Sequence, residues 1–226
     1  MIQPAYIGYP NQQSSVIQKL TYEAKRNPSG IFVVGGAGRV GKNTTVEHIA
    51  RNLNLEGSDY NEVSPHVNMN DEIPQDYFYK WDDAYREGSR DFVFGEIPVN
   101  FTSAFDYVDR FYQNAKQDGN DIRILFNVIS RNHPAWENED VESDILDGLS
   151  TSFSRDLNVE FLSSDRERIV EEMWRFRNED MYYHILANQI GFRSSVPMIA
   201  DTQDYKKFKV YLEDQMEGNI SRTESW

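Results

Sequence analysis

Gly36, Gly41 and Lys42 stand at the spacing G-x-x-x-x-G-K, and that spacing serves a definite chemistry. Glycines let a tight turn aim backbone N–H groups at an anion, and a lysine closing the turn neutralises part of its charge. The anion that fits is a polyphosphate, with Gly36, Ala37, Gly38, Arg39, Val40, Gly41, Lys42, Asn43 and Thr44 along its path. A helix beginning near Lys42 adds the positive end of its dipole. The strict pattern places Ser or Thr after the lysine, where the hydroxyl holds Mg²⁺, whereas this chain has Asn43, then Thr44 and Thr45. Asn43 and Thr44 are therefore the candidate metal-side residues, and an amide is a poorer Mg²⁺ partner than a hydroxyl there.

Such a turn works only where a buried strand hands over to a helix. Ile31, Phe32, Val33 and Val34 form the continuous β-branched and aromatic run of a strand buried on both faces, immediately before the glycines. Val46, Ile49, Ala50 and Leu53 then recur at helical spacing from Lys42 to about Leu53. Upstream, residues 1–12 read as an irregular arm, and Ser14 or Ser15 as the cap of a helix reaching about Arg26. Downstream, strands are predicted over 91–96, 122–129 and 196–200. Helices are predicted over 101–116, from 165 to about 189 and from 205 to about 216, with a loop and a short helix in 131–150. Residues 54–76 have no clear period. The alternation implies one α/β domain over residues 1–226, a three-layer sandwich with a parallel sheet and helices on both faces.

Composition narrows the classes. Without cysteine there is no disulfide, thiolate zinc site or cysteine nucleophile. No long apolar run or basic leader is found, so no membrane association and a cytoplasmic location are the expectations. A net charge of −14 disfavours a broad nucleic-acid-binding face.

Gly41, Lys42, Asn43, Thr44 and Thr45 resemble the G-K-G-T of adenylate kinases, and more closely the G-K-D-T-T of phage deoxynucleoside monophosphate kinases. The resemblance covers about twenty residues, 31–50. It implies a P-loop NTPase fold with ATP as donor, Mg²⁺ held largely through water, and the Thr44 hydroxyl meeting a phosphate. Arg166, Arg168, Arg175 and Arg177 fall in a candidate lid helix, about 160–190, and the second cluster, Arg175 and Arg177, resembles the arginine-bearing lid of cytidylate and shikimate kinases. There Arg168 and Arg175, two turns apart, would grip the transferring phosphate, although Glu171 and Glu179 flank Arg175 at ion-pair spacing and suit a solvated helix face equally. Asp201 and Thr202 resemble the loop after the last strand of nucleotide kinases, beside the adenine.

Other candidates come from the residues alone. Glu96 ends a predicted strand, where open α/β sheets bind ligands, and suits water-mediated Mg²⁺ orientation, proton acceptance or simply a solvated loop. Trp81, Asp82 and Asp83 offer an aromatic surface and carboxylates to an acceptor, or else belong to an ordinary amphipathic helix with Trp81 in the core. The four histidines are assigned no chemistry. The function expected is an ATP-dependent kinase of nucleosides or deoxynucleoside monophosphates, with a homodimer open. The alternatives are a kinase of a modified base in DNA, such as hydroxymethyluracil, and a nucleotide-dependent switch or assembly NTPase with slow turnover.

Overall fold

In the computed structural model the protein is described over residues 6–55, 76–155, 157–176 and 205–217. The elements in chain order are α1 (Pro10–Arg26), β1 (Gly30–Gly36), α2 (Lys42–Asn52), α3 (Asp76–Arg86), β2 (Asp91–Pro98), α4 (Thr102–Gln117), β3 (Arg123–Ile129), α5 (Asn138–Ser152), β4 (Asn158–Leu162), α6 (Arg166–Phe176) and α7 (Tyr205–Met216). Among the described residues, four strands form one sheet in the order β2-β3-β1-β4, with every pairing parallel. Parallel neighbours need crossovers, and right-handed crossovers put α2 on one face and α4 and α5 on the other. The packing agrees: α1 lies on α2, α4 lies on α5, and the sheet is flanked by helices. The α/β class and the all-parallel sheet are thus as expected.

β1 and β3 are buried along almost their whole lengths, which is why their sequences read as unbroken apolar runs. On the α5 side, Phe105, Phe126 and Phe153 meet with ring centroids 6.0–6.3 Å apart. At the β2 edge, Trp81 packs against Phe92, Phe94 and Phe111 at 5.2, 5.4 and 5.3 Å.

The elements depart from the sequence expectations in three places. α1 begins at Pro10 rather than at Ser14 or Ser15, because proline is pre-set for the first turn and Tyr9 before it is extended. The Ser14 hydroxyl, read as a cap, instead donates to the Pro10 carbonyl. In 131–150 the helix is long, α5, held by Val141, Ile145 and Leu149 along an otherwise acidic segment. β4 was not anticipated at all: of its five residues only Leu162 is fully buried, so it lacks the apolar run of β1. Of the long helix expected from 165, α6 is described to Phe176, and residues 177–189 lie outside the described residues, as does the expected strand 196–200. No helix among the described residues is long and apolar enough to cross a membrane.

Candidate functional site

The glycine turn joins the carboxyl end of β1 to the first turn of α2. Gly41 closes it in a left-handed conformation, φ +90°, and a Cβ there would come within 2.8 Å of the Tyr6 ring. Both the angle and the space require glycine. Arg39 is also left-handed, φ 67°, a conformation that needs outside support. The arm supplies it, with Ile7 N–H donating to the Arg39 carbonyl at 3.1 Å, and from the first turn of α1 Gln13 Nε2 donates to the Gly41 carbonyl at 3.1 Å. The Thr45 hydroxyl also donates to Gly41 O, at 2.9 Å. Across a trans peptide C=O and N–H point in opposite directions, so tying these two carbonyls outward turns the Val40 and Lys42 N–H groups the other way. A set of inward N–H groups at a helix N-terminus suits an anion.

Lys42 is 3% exposed, unusual for a lysine, and its Nζ donates to the Ala37 carbonyl at 2.6 Å. Glu96 Oε2 stands 3.2 Å from the same Nζ. Burial lowers the Lys42 pKa; Glu96 acts against that shift, and the nearby Arg131 guanidinium adds to it.

The position of Glu96 depends on an irregularity in β2. Val93 pairs with Leu125 and Glu96 with Asn127, so β2 advances three residues while β3 advances two. The extra residue resets the alternation and puts Glu96 on the face of Val93 and Asn127; in a regular strand it would point to the opposite face. β3 lies between β1 and β2, which sets those two strands about 10 Å apart. Lys42 and Glu96 therefore meet over the carboxyl end of β3.

Asn127 lies at that end, pairing with Val34 on one side and Glu96 on the other. It is 2% exposed, its Nδ2 donates to Asn43 Oδ1 at 2.8 Å, and its own Oδ1 is buried without a hydrogen-bond partner. Asn127 and Arg131 were missed in the sequence. Asn127 belongs to a strand read only for its apolar run, where a polar residue interrupting that run was the signal, and Arg131 follows two residues after the strand ends.

No protein-family model matches the chain, and no curated protein is significantly similar to it.

The remaining sequence candidates are dispersed. Trp81 is 4% exposed within the β2-edge aromatic cluster, so the core reading holds for it and its ring is not open to a ligand. The Tyr107 hydroxyl donates to Asp82 Oδ1 at 3.4 Å, and Tyr107 has its pKa raised by burial and then by Asp82. Asp83 pairs with Arg86 on the surface. Thr44 is exposed on the first turn of α2. Arg168 approaches the turn indirectly: its guanidinium is 5.5 Å from the centroid of the Tyr6 ring, and its Nε is 3.9 Å from Asp165 Oδ2. Arg175 belongs to α6 by its backbone, but its side chain lies outside the described residues, as do Arg177, Asp201 and Thr202. His133, Glu137 and Asp140 have ligating atoms within 4.8 Å of one another where α5 begins. That grouping, at i, i+4 and i+7, went unread because the four histidines are scattered along the sequence without metal-ligand spacing among themselves.

Proposed function

We propose that this chain binds ATP with Mg²⁺ at the turn 36–44 and transfers the γ-phosphoryl group to an O–H nucleophile held against Glu96. The observation that carries this reading is the buried Lys42 paired at 3.2 Å with Glu96. Phosphoryl transfer needs positioning and charge neutralisation above all. Lys42 and Arg131 supply the positive charge beside the inward N–H groups, and Asn43 and Thr44 stand at the metal side. Bound Mg²⁺ would neutralise phosphate charge. When the triphosphate draws Lys42 to itself, the Glu96 carboxylate is released to take the nucleophile's proton. The oxygen–phosphorus bond forms, the bond to the bridging β–γ oxygen breaks, ADP leaves, and the proton ends on Glu96.

In the first reading the nucleophile is a hydroxyl of a small nucleoside. A carboxylate facing the nucleophile repels an incoming phosphate, so the site favours a nucleoside over a nucleoside monophosphate. The second reading is ATP hydrolysis, with water as nucleophile, in a switch or assembly NTPase. A specific observation favours it: Trp81 is buried in the core, so its ring is not open to a base. A hydroxymethylated base in DNA is a third acceptor with the same O–H chemistry.

The test is one incubation with Mg²⁺ and γ-labelled ATP, with and without nucleosides, nucleoside monophosphates and hydroxymethylated DNA, and Lys42→Ala alongside. Label on one acceptor supports the kinase, and free phosphate that appears regardless of acceptor supports the hydrolase. Failure to bind ATP would remove both.

A further inference from the structure

The departure at position 43 carries a consequence in the tertiary structure. A serine or threonine hydroxyl at the start of a helix sits on a short side chain with few places to go. The carboxamide of Asn43 is longer, exposed, and attached to the first turn of α2. Left to itself it would rotate freely, and ordering it for a ligand would consume binding energy. It is not left to itself. Asn127, far away in sequence and 2% exposed, donates Nδ2 to Asn43 Oδ1 at 2.8 Å.

With Asn127 Nδ2 as the donor, the Asn43 amide presents its oxygen to Asn127. A carboxamide oxygen has two lone pairs; one accepts from Asn127, and the second remains for another partner. A hard cation such as Mg²⁺ takes oxygen ligands, amide carbonyls among them, so the donor chemistry fits. Asn127 meanwhile buries its own Oδ1 without a partner. An unsatisfied buried acceptor costs about 1–3 kcal/mol, and a leucine of similar size would avoid the cost. Leu125 on the same face of β3 and Val34 beside it on β1 are apolar. An amide kept there at a loss, beside the Lys42–Glu96 pair, points to a role for its Nδ2 contact with Asn43.

We propose that Asn43 and Asn127 act as a matched amide pair on the metal side of the phosphate site: Asn127 is a positioning residue that fixes the Asn43 carbonyl oxygen as an oxygen ligand for a divalent cation bound with the nucleotide. The pair does what the usual hydroxyl does alone. This rests on the reading of turn 36–44 as an ATP site and adds to it the means by which Asn43 remains compatible with Mg²⁺. The relation is that of an outer partner orienting a metal ligand, whose loss ordinarily lowers metal affinity about 10- to 100-fold.

The experiment measures ATP affinity by calorimetry with Mg²⁺ and with a chelator, for the full chain and for Asn127→Leu, Asn43→Ala and the double variant Asn43→Thr/Asn127→Leu. Asn127→Leu removes an orphaned buried acceptor and Asn43 is exposed, so the single variants retain the fold, which thermal melts verify. The wild type is expected to bind ATP more tightly with Mg²⁺. Asn127→Leu should lose about 10- to 100-fold of that increment with chelator-measured affinity unchanged, and Asn43→Ala should lose at least as much of the increment. Asn43→Thr should restore it in the leucine background, because a hydroxyl needs no partner to aim it.

The proposal is overturned if Asn127→Leu keeps the full Mg²⁺ increment, if the two affinities fall together, or if the threonine gives no recovery. A wild type that binds ATP under neither condition would instead overturn the reading of the turn itself, a result distinct from the others.

Discussion

A lysine buried to 3% exposure is costly, and Lys42 shows in which direction. Burial holds its pKa below the ordinary 10.5, so between the lowered value and 10.5 the unfolded chain binds the proton that the folded chain has released. Stability contributed through Lys42 therefore rises with pH across that window, and below it the buried charge is a net cost. Lys42→Met should raise the melting temperature, because Glu96 is partly exposed and tolerates losing its partner. The same change should weaken ATP binding by about 2 kcal/mol, the scale of a charge-assisted contact. In the wild type, ATP affinity followed by calorimetry from neutral to alkaline pH should fall before an ordinary lysine would titrate. Glu96→Gln should leave ATP affinity near that of the wild type and lower turnover about 10²- to 10⁴-fold in a steady-state assay.

At the scale of elements, the turn is held from behind by the segment leading into α1. Ile7 N–H holds Arg39, Gln13 holds Gly41, and the Ile7 carbonyl accepts from Asp165 N–H at 2.6 Å just before α6. Gly8 bridges to Ser164, and a Cβ on it would fall 2.6 Å from the Val40 carbonyl, in the turn itself. Gly8→Ala must push the arm off the turn. The expected cost is about 1–3 kcal/mol of stability, read as a lower denaturant midpoint, together with weaker ATP binding. Loss of stability with unchanged ATP affinity would mean the arm braces the fold without shaping the turn. The bulge in β2 belongs to the same scale, since one extra residue decides which face Glu96 occupies.

At the scale of the molecule, chemistry and bulk stability are separated in space. The Trp81 cluster packs on Phe92 and Phe94 in the earlier part of β2, whereas Glu96 lies towards its carboxyl end. Trp81→Ala should lower stability by about 3–5 kcal/mol while ATP affinity of the protein that stays folded is unchanged. A selective loss of nucleoside binding in that variant would restore Trp81 as an acceptor residue. The net charge of −14 leads to a further expectation: association with duplex DNA should be weak and show little of the steep salt dependence of phosphate-binding proteins, as a titration over ionic strength would report.

Local features are legible in the chain's own pattern. The glycine and lysine spacing, the apolar runs of β1 and β3, and the helical stripes of α2 and α4 all follow from interactions between near neighbours, and each element was found within a few residues of its expected bounds. Glu96 was legible as a strand-end acid for the same reason. The remaining features depend on packing between residues far apart in the chain. The strand order put β3 between β1 and β2 and so brought Asn127 under Asn43. The bulge turned Glu96 toward Lys42, and the arm took hold of the turn. β4 was illegible because only one of its residues is fully buried; it becomes a strand by pairing with β1, and a pairing partner leaves no period in the sequence.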